Sequence, residues 1–311
     1  MSNEYESILE EIRMTTPFRG NRGAPLDVIH LPGVLKNLYG GDAEFVERGG
    51  NDDLPLIYAS FVVDADGAFI LKKSPGRPDL ISRGNHADGF VLAILRSCAD
   101  GILVGANTLR EEFKGEWHMD YVFEFAHMAP LKGMPLHKAF QDFRSSLASE
   151  RGESYHPPTF FMTNSGNVVF EDIPLFRNRS VKKYILTSGE GEKRLESLNI
   201  SLPLETEILQ FGSGGTLNVE EAMRYLGQKL GVKYLLHEAG KSVFNSLLGG
   251  NIISQLFLTR MDNYAGEDVE YLFDSPGHIV PSESRAITSR RDGKGEATFL
   301  NYDFRNVRGI K

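Results

Sequence analysis

The sequence predicts an α/β fold: a mostly parallel central sheet with helices on both faces and an antiparallel C-terminal strand. Three observations carry this. From about residue 54 onward, short apolar runs of strand length alternate with segments of helical period. LIYASFVV (56–63) and GILVG (101–105) are nearly continuous apolar runs, as strands buried on both faces are. The last run, ATFLNYDFR (297–305), alternates instead and reads as a closing antiparallel strand.

In chain order, residues 5–13 read as a short helix. The rest of residues 1–53 holds Gly20, Gly23, Gly33, Gly40, Gly41, Gly49 and Gly50, a spacing typical of turns. This N-terminal extension either wraps the main domain or is a partly disordered arm. Asp64-Ala65-Asp66-Gly67 is turn chemistry after the first strand. A helix runs over about 86–99, GILVG is a buried strand, and 107–112 opens a segment of helix-start character. Residues 160–163, 183–187 and, more weakly, 207–211 are strands. Val219, Ala222, Met223, Leu226 and Leu230 share one face of a helix. YLLHE (234–238) is a strand, 242–248 a helix and LFLTR (256–260) a strand. The main domain spans 54–311. It carries an insertion at about 114–155, rich in aromatic residues and His, with a helix at 137–149 and a lid or dimer contact as its expected role. No internal repeat is visible.

The 311 residues are 41% apolar and 24% charged, ordinary globular values. The formal charge, 34 − 42 = −8, lacks the footprint of a nucleic-acid binder, so an anionic substrate must be held by a few placed donors. The single cysteine, Cys98, sits among Leu95, Ala99 and Ile102 and reads as a buried hydrophobe; no internal disulfide can form. The acidic N-terminus has no apolar signal core, and no stretch approaches the ~20 apolar residues of a membrane span. The expectation is a cytoplasmic protein with no membrane partner. The eight histidines show no zinc-ligand spacing, so no metal is expected. His237, inside a strand, reads as core or interface.

Two junctions can carry chemistry. In ADGILVGANTLREEF (99–113) a buried strand runs into Gly105, followed by Thr108, Glu111 and Glu112. Glycine at a strand exit admits a close backbone or ligand, and Thr108 either caps the next helix or bonds a ligand. In YLLHEAGKSVFNSLL (234–248) a strand ends on Glu238, and Ala239-Gly240-Lys241-Ser242 opens a helix. Such a helix start is a ready phosphate site. Gly-Lys-Ser here is not a Walker loop, because Leu235 stands where that motif needs glycine. FGSGGT (211–216) fails the dinucleotide pattern because Leu217 takes the third glycine position.

Together these segments resemble the riboflavin-biosynthesis pyrimidine reductases, relatives of dihydrofolate reductase. That family follows an Asp-Gly turn with a helix ending Leu-Arg-Ala, then Asp-Ala-Ile-Leu-Val-Gly-Ala-Gly-Thr-Val, and later Glu-Gly-Gly-Pro-Thr-Leu. Here stand Asp66-Gly67, Leu95-Arg96-Ser97, Asp100-Gly101-Ile102-Leu103-Val104-Gly105-Ala106-Asn107-Thr108-Leu109 and Glu238-Ala239-Gly240-Lys241-Ser242-Val243. Ile252-Ile253-Ser254-Gln255-Leu256 follows where the family has its Leu-Val-Asp-Glu-Leu. Order and spacing agree from about 56 to 260.

The resemblance implies a dihydrofolate-reductase-like fold and NADPH lying across the carboxyl ends of the strands. Val62 would lie beneath the cofactor, Gly105, Thr108 and Glu112 beside it, and Asn164 or Ser165 near its adenosine half. The turn of Gly240, Lys241, Ser242, Val243 and Phe244 would hold the pyrophosphate. Glu238 and Arg96 would contact a ribosylamino-pyrimidine phosphate, to which hydride passes; these two are the catalytic candidates. Arg179, Lys182 and Lys183 are candidate donors to an adenosine 2′-phosphate. A homodimer is also implied, with another protein supplying the deaminase step.

The sequence departs from the family at several points. Ala68 replaces the basic residue after the Asp-Gly turn, residues 83–88 match the next segment only loosely, 113–120 replace the substrate stretch, and Ala239 replaces a glycine. Two further readings therefore stand beside the first: a reductase of another heterocycle or a pterin, and a nucleotide-binding homologue without turnover.

Overall fold

The computed structural model describes residues 2–13, 26–47, 53–72, 78–106, 108, 118–198, 202–264, 266–273, 284–288 and 297–304. Its core is a nine-stranded sheet in the order β12-β13-β10-β3-β9-β5-β6-β7-β8. The strands are β3 (Leu56–Val63), β5 (Gly101–Gly105), β6 (Thr159–Thr163), β7 (Lys183–Thr187), β8 (Thr206–Gln210), β9 (Tyr234–His237), β10 (Gln255–Met261), β12 (Ser284–Thr288) and β13 (Ala297–Asp303). From β10 to β8 every neighbouring pair is parallel. β13 runs antiparallel to β10, and β12 antiparallel to β13. The expected class, including the antiparallel closing strand, is the one observed.

The apolar runs are continuous because both faces of the sheet are covered. Along β3, Leu56 and Tyr58 join the core on one face, while Ile57, Ala59 and Val63 join the core on the other. The first face is covered by helices His86–Cys98 and Pro135–Arg151, the second by helices Val219–Leu230 and Lys241–Gly249. Phe161, Ile185, Phe170 and Phe176 build a third cluster beside β6 and β7. Cys98 is buried, and burial pushes its thiol up to about 12.

The N-terminal residues form more structure than their glycines announce. Helix Ser2–Ile12 is followed by β1 (Leu26–Ile29), helix Gly33–Tyr39 and β2 (Ala43–Val46), and β1 pairs with β2 in a sheet of their own. Ile8, Ile12, Leu35, Leu38 and Phe45 enter the first-face core. The Val46 N–H donates to Gln255 Oε1 at 3.1 Å, and Gln255 Nε2 donates to the Glu44 carbonyl at 3.3 Å. Gly40 ends helix Gly33–Tyr39 at φ 81, so there the glycine is a helix stop, not a loop signal.

Other elements lie outside the sequence expectations. β4 (Ala68–Leu71) pairs with β11 (Val269–Tyr271), and helix Pro78–Ser82 precedes Asn85. Helix Gly189–Ser197 carries two glycines that conceal it, yet Ser188 accepts from the Gly191 N–H and acidic Glu190 and Glu192 fill the first turn. The predicted helix at 137–149 extends over Pro135–Arg151, starting on a proline and ending at Gly152 with φ 70.

Candidate functional site

Seven parallel strands present their carboxyl ends at one edge of the sheet, where ligands of open α/β sheets bind. There the two junctions singled out from the sequence meet. The Gly240 N–H donates to Thr108 Oγ1 at 3.0 Å. Thr108 therefore ties the first junction to the second. A Cβ on Gly105 would sit 3.5 Å from Ala239 Cβ and from Val243 Cγ2, so the two loops lie in contact. Among the described residues, a Cβ on Gly240 would meet only Thr108 Oγ1, at 3.6 Å. Gly240 is the N-cap of helix Lys241–Gly249, and no side chain caps this start. An uncapped helix start with space over its N-cap suits an anion such as a pyrophosphate. Lys241 and Val243 are half-buried and Ser242 exposed, while Phe244 is fully buried and packs into the core.

Glu238 follows β9 and meets Arg96 of helix His86–Cys98. Arg96 Nε donates to Glu238 Oε1 at 2.6 Å, and Nη2 pairs with Oε2. The arginine side chain is 1% exposed and that of Glu238 8%. Tyr121, in the insertion, lies over the guanidinium at 5.3 Å. The two catalytic candidates thus engage each other as a bidentate, buried pair. The pair fixes the orientation of the Glu238 carboxylate.

Asn164 and Ser165 are exposed at the carboxyl end of β6. Asn164 binds three strand exits together: its Oδ1 accepts from the Leu217 N–H at 2.9 Å, and its carbonyl accepts from Ser188 Oγ at 2.7 Å. Ser165 Oγ accepts from the Asn167 N–H at 3.3 Å. The next residue, Gly166, has φ +61, and a Cβ there would lie 2.2 Å from the Gly191 carbonyl oxygen, so only glycine fits. Val62 is half-buried near the end of β3, opposite Thr259 of β10. Glu112 lies outside the described residues.

The candidate 2′-phosphate donors are corrected by topology. Lys182 and Lys183 lie at the amino end of β7, away from the carboxyl edge. Lys183 is 0% exposed, with Nζ donating to the Asn178 carbonyl at 2.6 Å, and Lys182 pairs with Glu207 at 3.0 Å. Residues 178–183 lead into that same amino end, which puts Arg179 on the wrong edge as well.

One residue passed unnoticed in the sequence. Asp88 stands in the first turn of helix His86–Cys98, which Asn85 caps by accepting from the Ala87 and Asp88 N–H groups at 2.9 and 3.2 Å. Burial pushes the Asp88 carboxyl up to about 6, against the lowering effect of a hydrogen bond from Thr259. A carboxyl that titrates near neutrality at the ligand edge is a proton-transfer candidate. Its only sequence signal was a capped helix start, which occurs in many proteins.

Among the described residues no cluster of His, Cys, Asp and Glu could hold a metal, and no helix is long and apolar enough to cross a membrane. A cleft of about 880 Å³ opens at the opposite edge, between β1 and helix Pro135–Arg151, lined by Asp100, Arg151 and Lys233. It contains none of the candidate catalytic or cofactor-binding residues named from the sequence.

No family model matches the chain, and no curated protein matches it in sequence. Solved structures match its fold. The riboflavin biosynthesis reductase Rib7 of Saccharomyces cerevisiae is 14% identical, over 82% of this chain and 92% of that one, with a TM-score of 0.52. A pyrimidine reductase-like protein from Corynebacterium diphtheriae is 20% identical, over 80% and 91%, at 0.55. A diaminohydroxyphosphoribosylaminopyrimidine deaminase/5-amino-6-(5-phosphoribosylamino)uracil reductase from Thermotoga maritima is 14% identical, over 81% of this chain and 58% of that one, at 0.53. The chain has the fold of the riboflavin-biosynthesis pyrimidine reductases, the resemblance its motifs carried.

Proposed function

We propose that this chain is a reductase that binds NADPH along the carboxyl edge of its sheet and reduces a small heterocycle of the 5-amino-6-(ribosylamino)uracil phosphate type. The observation that carries the reading is the junction of Gly105, Thr108 and Gly240. Two loops far apart in sequence converge on a helix start that, among the described residues, no side chain caps and only Thr108 Oγ1 approaches at its N-cap. That cradle fits a dinucleotide: Gly240 and the first turn after it would face the pyrophosphate, Val62 would support the nicotinamide end, and Asn164 and Ser165 would lie toward the adenosine.

When bound, the dinucleotide supplies the hydride. The chain's own residues position and protonate. Glu238, held by Arg96, would accept hydrogen bonds from a substrate amine or hydroxyl, and a carboxylate fixed in this way orients at little entropic cost. Asp88 would hold the proton that the reduced centre needs, since its carboxyl titrates near 6. A cytoplasmic homodimer acting on a small molecule, without nucleic acid, completes the reading.

Titration with NADPH and NADH, followed by nicotinamide fluorescence, tests it. Saturable NADPH binding that is lost in Gly240→Asp supports the site, with Glu112→Ala as a second control. Well-folded protein that binds neither nucleotide refutes it. A second reading, a nucleotide binder without turnover, is favoured by the Arg96–Glu238 pair, in which both carboxylate oxygens are already engaged by the guanidinium. Tight NADPH binding with no consumption in the presence of the ribosylamino-pyrimidine would select it.

A further inference from the structure

We propose that Tyr121 is a positioning residue for the Arg96–Glu238 pair, held over it by a scaffold of three neutral histidines in residues 118–156. Tyr121 belongs to the one-turn helix Met119–Glu124, and its ring covers the Arg96 guanidinium at 5.3 Å. An aromatic face over a cation stabilises the charge and shields it from water, more strongly when the site is desolvated. Arg96 is 1% exposed, so this ring is a wall of the site and not a surface ornament.

The scaffold has one repeated feature. His118 Nδ1 accepts the Asp120 N–H at 3.1 Å, His156 Nδ1 accepts the Met119 N–H at 3.2 Å, and His137 Nδ1 accepts the Gly133 N–H at 2.9 Å. A ring nitrogen that accepts carries no proton, so all three rings are held as the Nε2–H tautomer. Two of the three bonds fix consecutive residues, Met119 and Asp120, immediately before Tyr121.

Further contacts tie the segment together. The Asp120 carboxylate lies 3.2 Å from His137 Nε2 and also accepts from Tyr155 Oη at 2.9 Å. The His118 and His156 rings are 5.6 Å apart, and Tyr121 itself lies beside His118. The bonds to His118 and His156 fix the backbone ahead of Tyr121 and so set its ring over Arg96.

This positioning role presupposes that Glu238 faces substrate, but its test reads the ion pair itself and needs neither cofactor nor turnover. The full chain, labelled with 15Nε-arginine, is followed by NMR, with the Arg96 Nε–H signal assigned by its loss in Arg96→Lys. Its protection factor, corrected for intrinsic exchange, is measured at pH 7.5. The wild type is expected to be protected. Tyr121→Phe keeps protection, because the ring face remains, and Tyr121→Leu loses about 10-fold. His118→Ala and His156→Ala remove the acceptors of the Asp120 and Met119 N–H groups and are expected to lose protection as well. Equal protection in Tyr121→Leu and wild type overturns the proposal. So does a wild type whose Arg96 Nε–H is unprotected, which needs no variant to fold.

Discussion

Arg96 and Glu238 stand 142 positions apart and meet as a two-point ion pair beneath the ring of Tyr121. Each had a candidate partner nearer in sequence, Asp100 for Arg96 and Lys241 for Glu238, and the fold pairs them with each other. Removing one partner leaves the other charge buried, which costs more than the pair itself contributes. Arg96→Met and Glu238→Gln are each expected to lower unfolding free energy by ~3 kcal/mol in urea titrations. The double variant should recover part of that loss, a coupling read directly by the cycle. Additive losses would show that the pair does not act as a unit.

The Gly240–Thr108 bond gives a separable prediction. Among the described residues Gly240→Ala meets only one atom, Thr108 Oγ1 at 3.6 Å, and it should fold normally. Its methyl nevertheless enters the space over the helix start, so dinucleotide affinity should fall by ~10-fold, while Gly240→Asp adds like charge and should abolish binding. Thr108→Val removes the acceptor of the Gly240 N–H and should cost ~1 kcal/mol of stability as well as affinity. Unchanged nucleotide titration curves for both glycine variants would place the cofactor elsewhere.

Asp88 should set a limb of the pH profile. Its folded-state carboxyl titrates near 6, above the unfolded value of 3.8. The protonated form therefore persists to about pH 6, and turnover that uses it should fall as pH rises through that value. Asp88→Asn should remove this limb and lower kcat by ~100-fold. Because ionising the buried group costs folding energy above pH 3.8, the same variant should be more stable than wild type at pH 7.5, on the order of 2 kcal/mol in denaturant midpoints. A variant that is destabilised at that pH would contradict the assignment.

His237 predicts acid sensitivity. It is fully buried beside Phe61 and Phe244, at 5.7 and 5.9 Å between ring centres. Outside its own residue, neither ring nitrogen has a hydrogen-bond partner among the described residues. Burial lowers its folded-state value to about 3 from 6.5. The sign follows: the unfolded chain takes up the proton first, so stability is retained above pH 6.5 and lost as pH falls toward 3. By pH 4 the loss should be on the order of 3 kcal/mol, measured as the shift of the urea midpoint. His237→Leu should flatten that slope, and an unchanged slope would mean that another group carries it.

The close approach of the strand exits is testable through Gly191. A Cβ there would lie 2.1 Å from Thr187 Oγ1 and 2.5 Å from the Asn164 carbonyl oxygen. Gly191→Ala should therefore cost ~2–3 kcal/mol, although the residue lies in a helix, where alanine is normally the better former. Thermal unfolding that shows stabilisation would contradict the packing of these loops.

Much of the architecture was legible residue by residue. LIYASFVV, GILVG and YLLHE are too apolar to face water on either side, which left them only the interior of a covered sheet. The alternation in 297–305 marked the antiparallel strand. Helix Gly33–Tyr39 and helix Gly189–Ser197 were hidden because a glycine in the sequence does not tell whether it stops a helix, starts one or forms a loop; only the backbone angle and the neighbouring atoms decide. The insertion's aromatic residues also divided only on folding: Phe123 is core, while Tyr121 and Phe125 are half-buried.

By itself, then, the sequence determined the buried strands and the strongly periodic helices, because hydrophobic period and strand-exit glycines are local properties of a chain. It marked Gly105, Thr108, Glu238 and Gly240 as chemistry-bearing, since strand-to-helix junctions are written in consecutive residues. Tertiary structure decided what these residues do to one another. Thr108 accepts from Gly240, Arg96 pairs with Glu238, Asp88 acquires its raised carboxyl through burial, and Lys182 and Lys183 fall at the amino end of their strand. Each of these depends on strand order and direction, which bring together positions 100 or more apart or separate the two ends of a single strand. Electrostatic environment follows from that placement, and no local pattern encodes it.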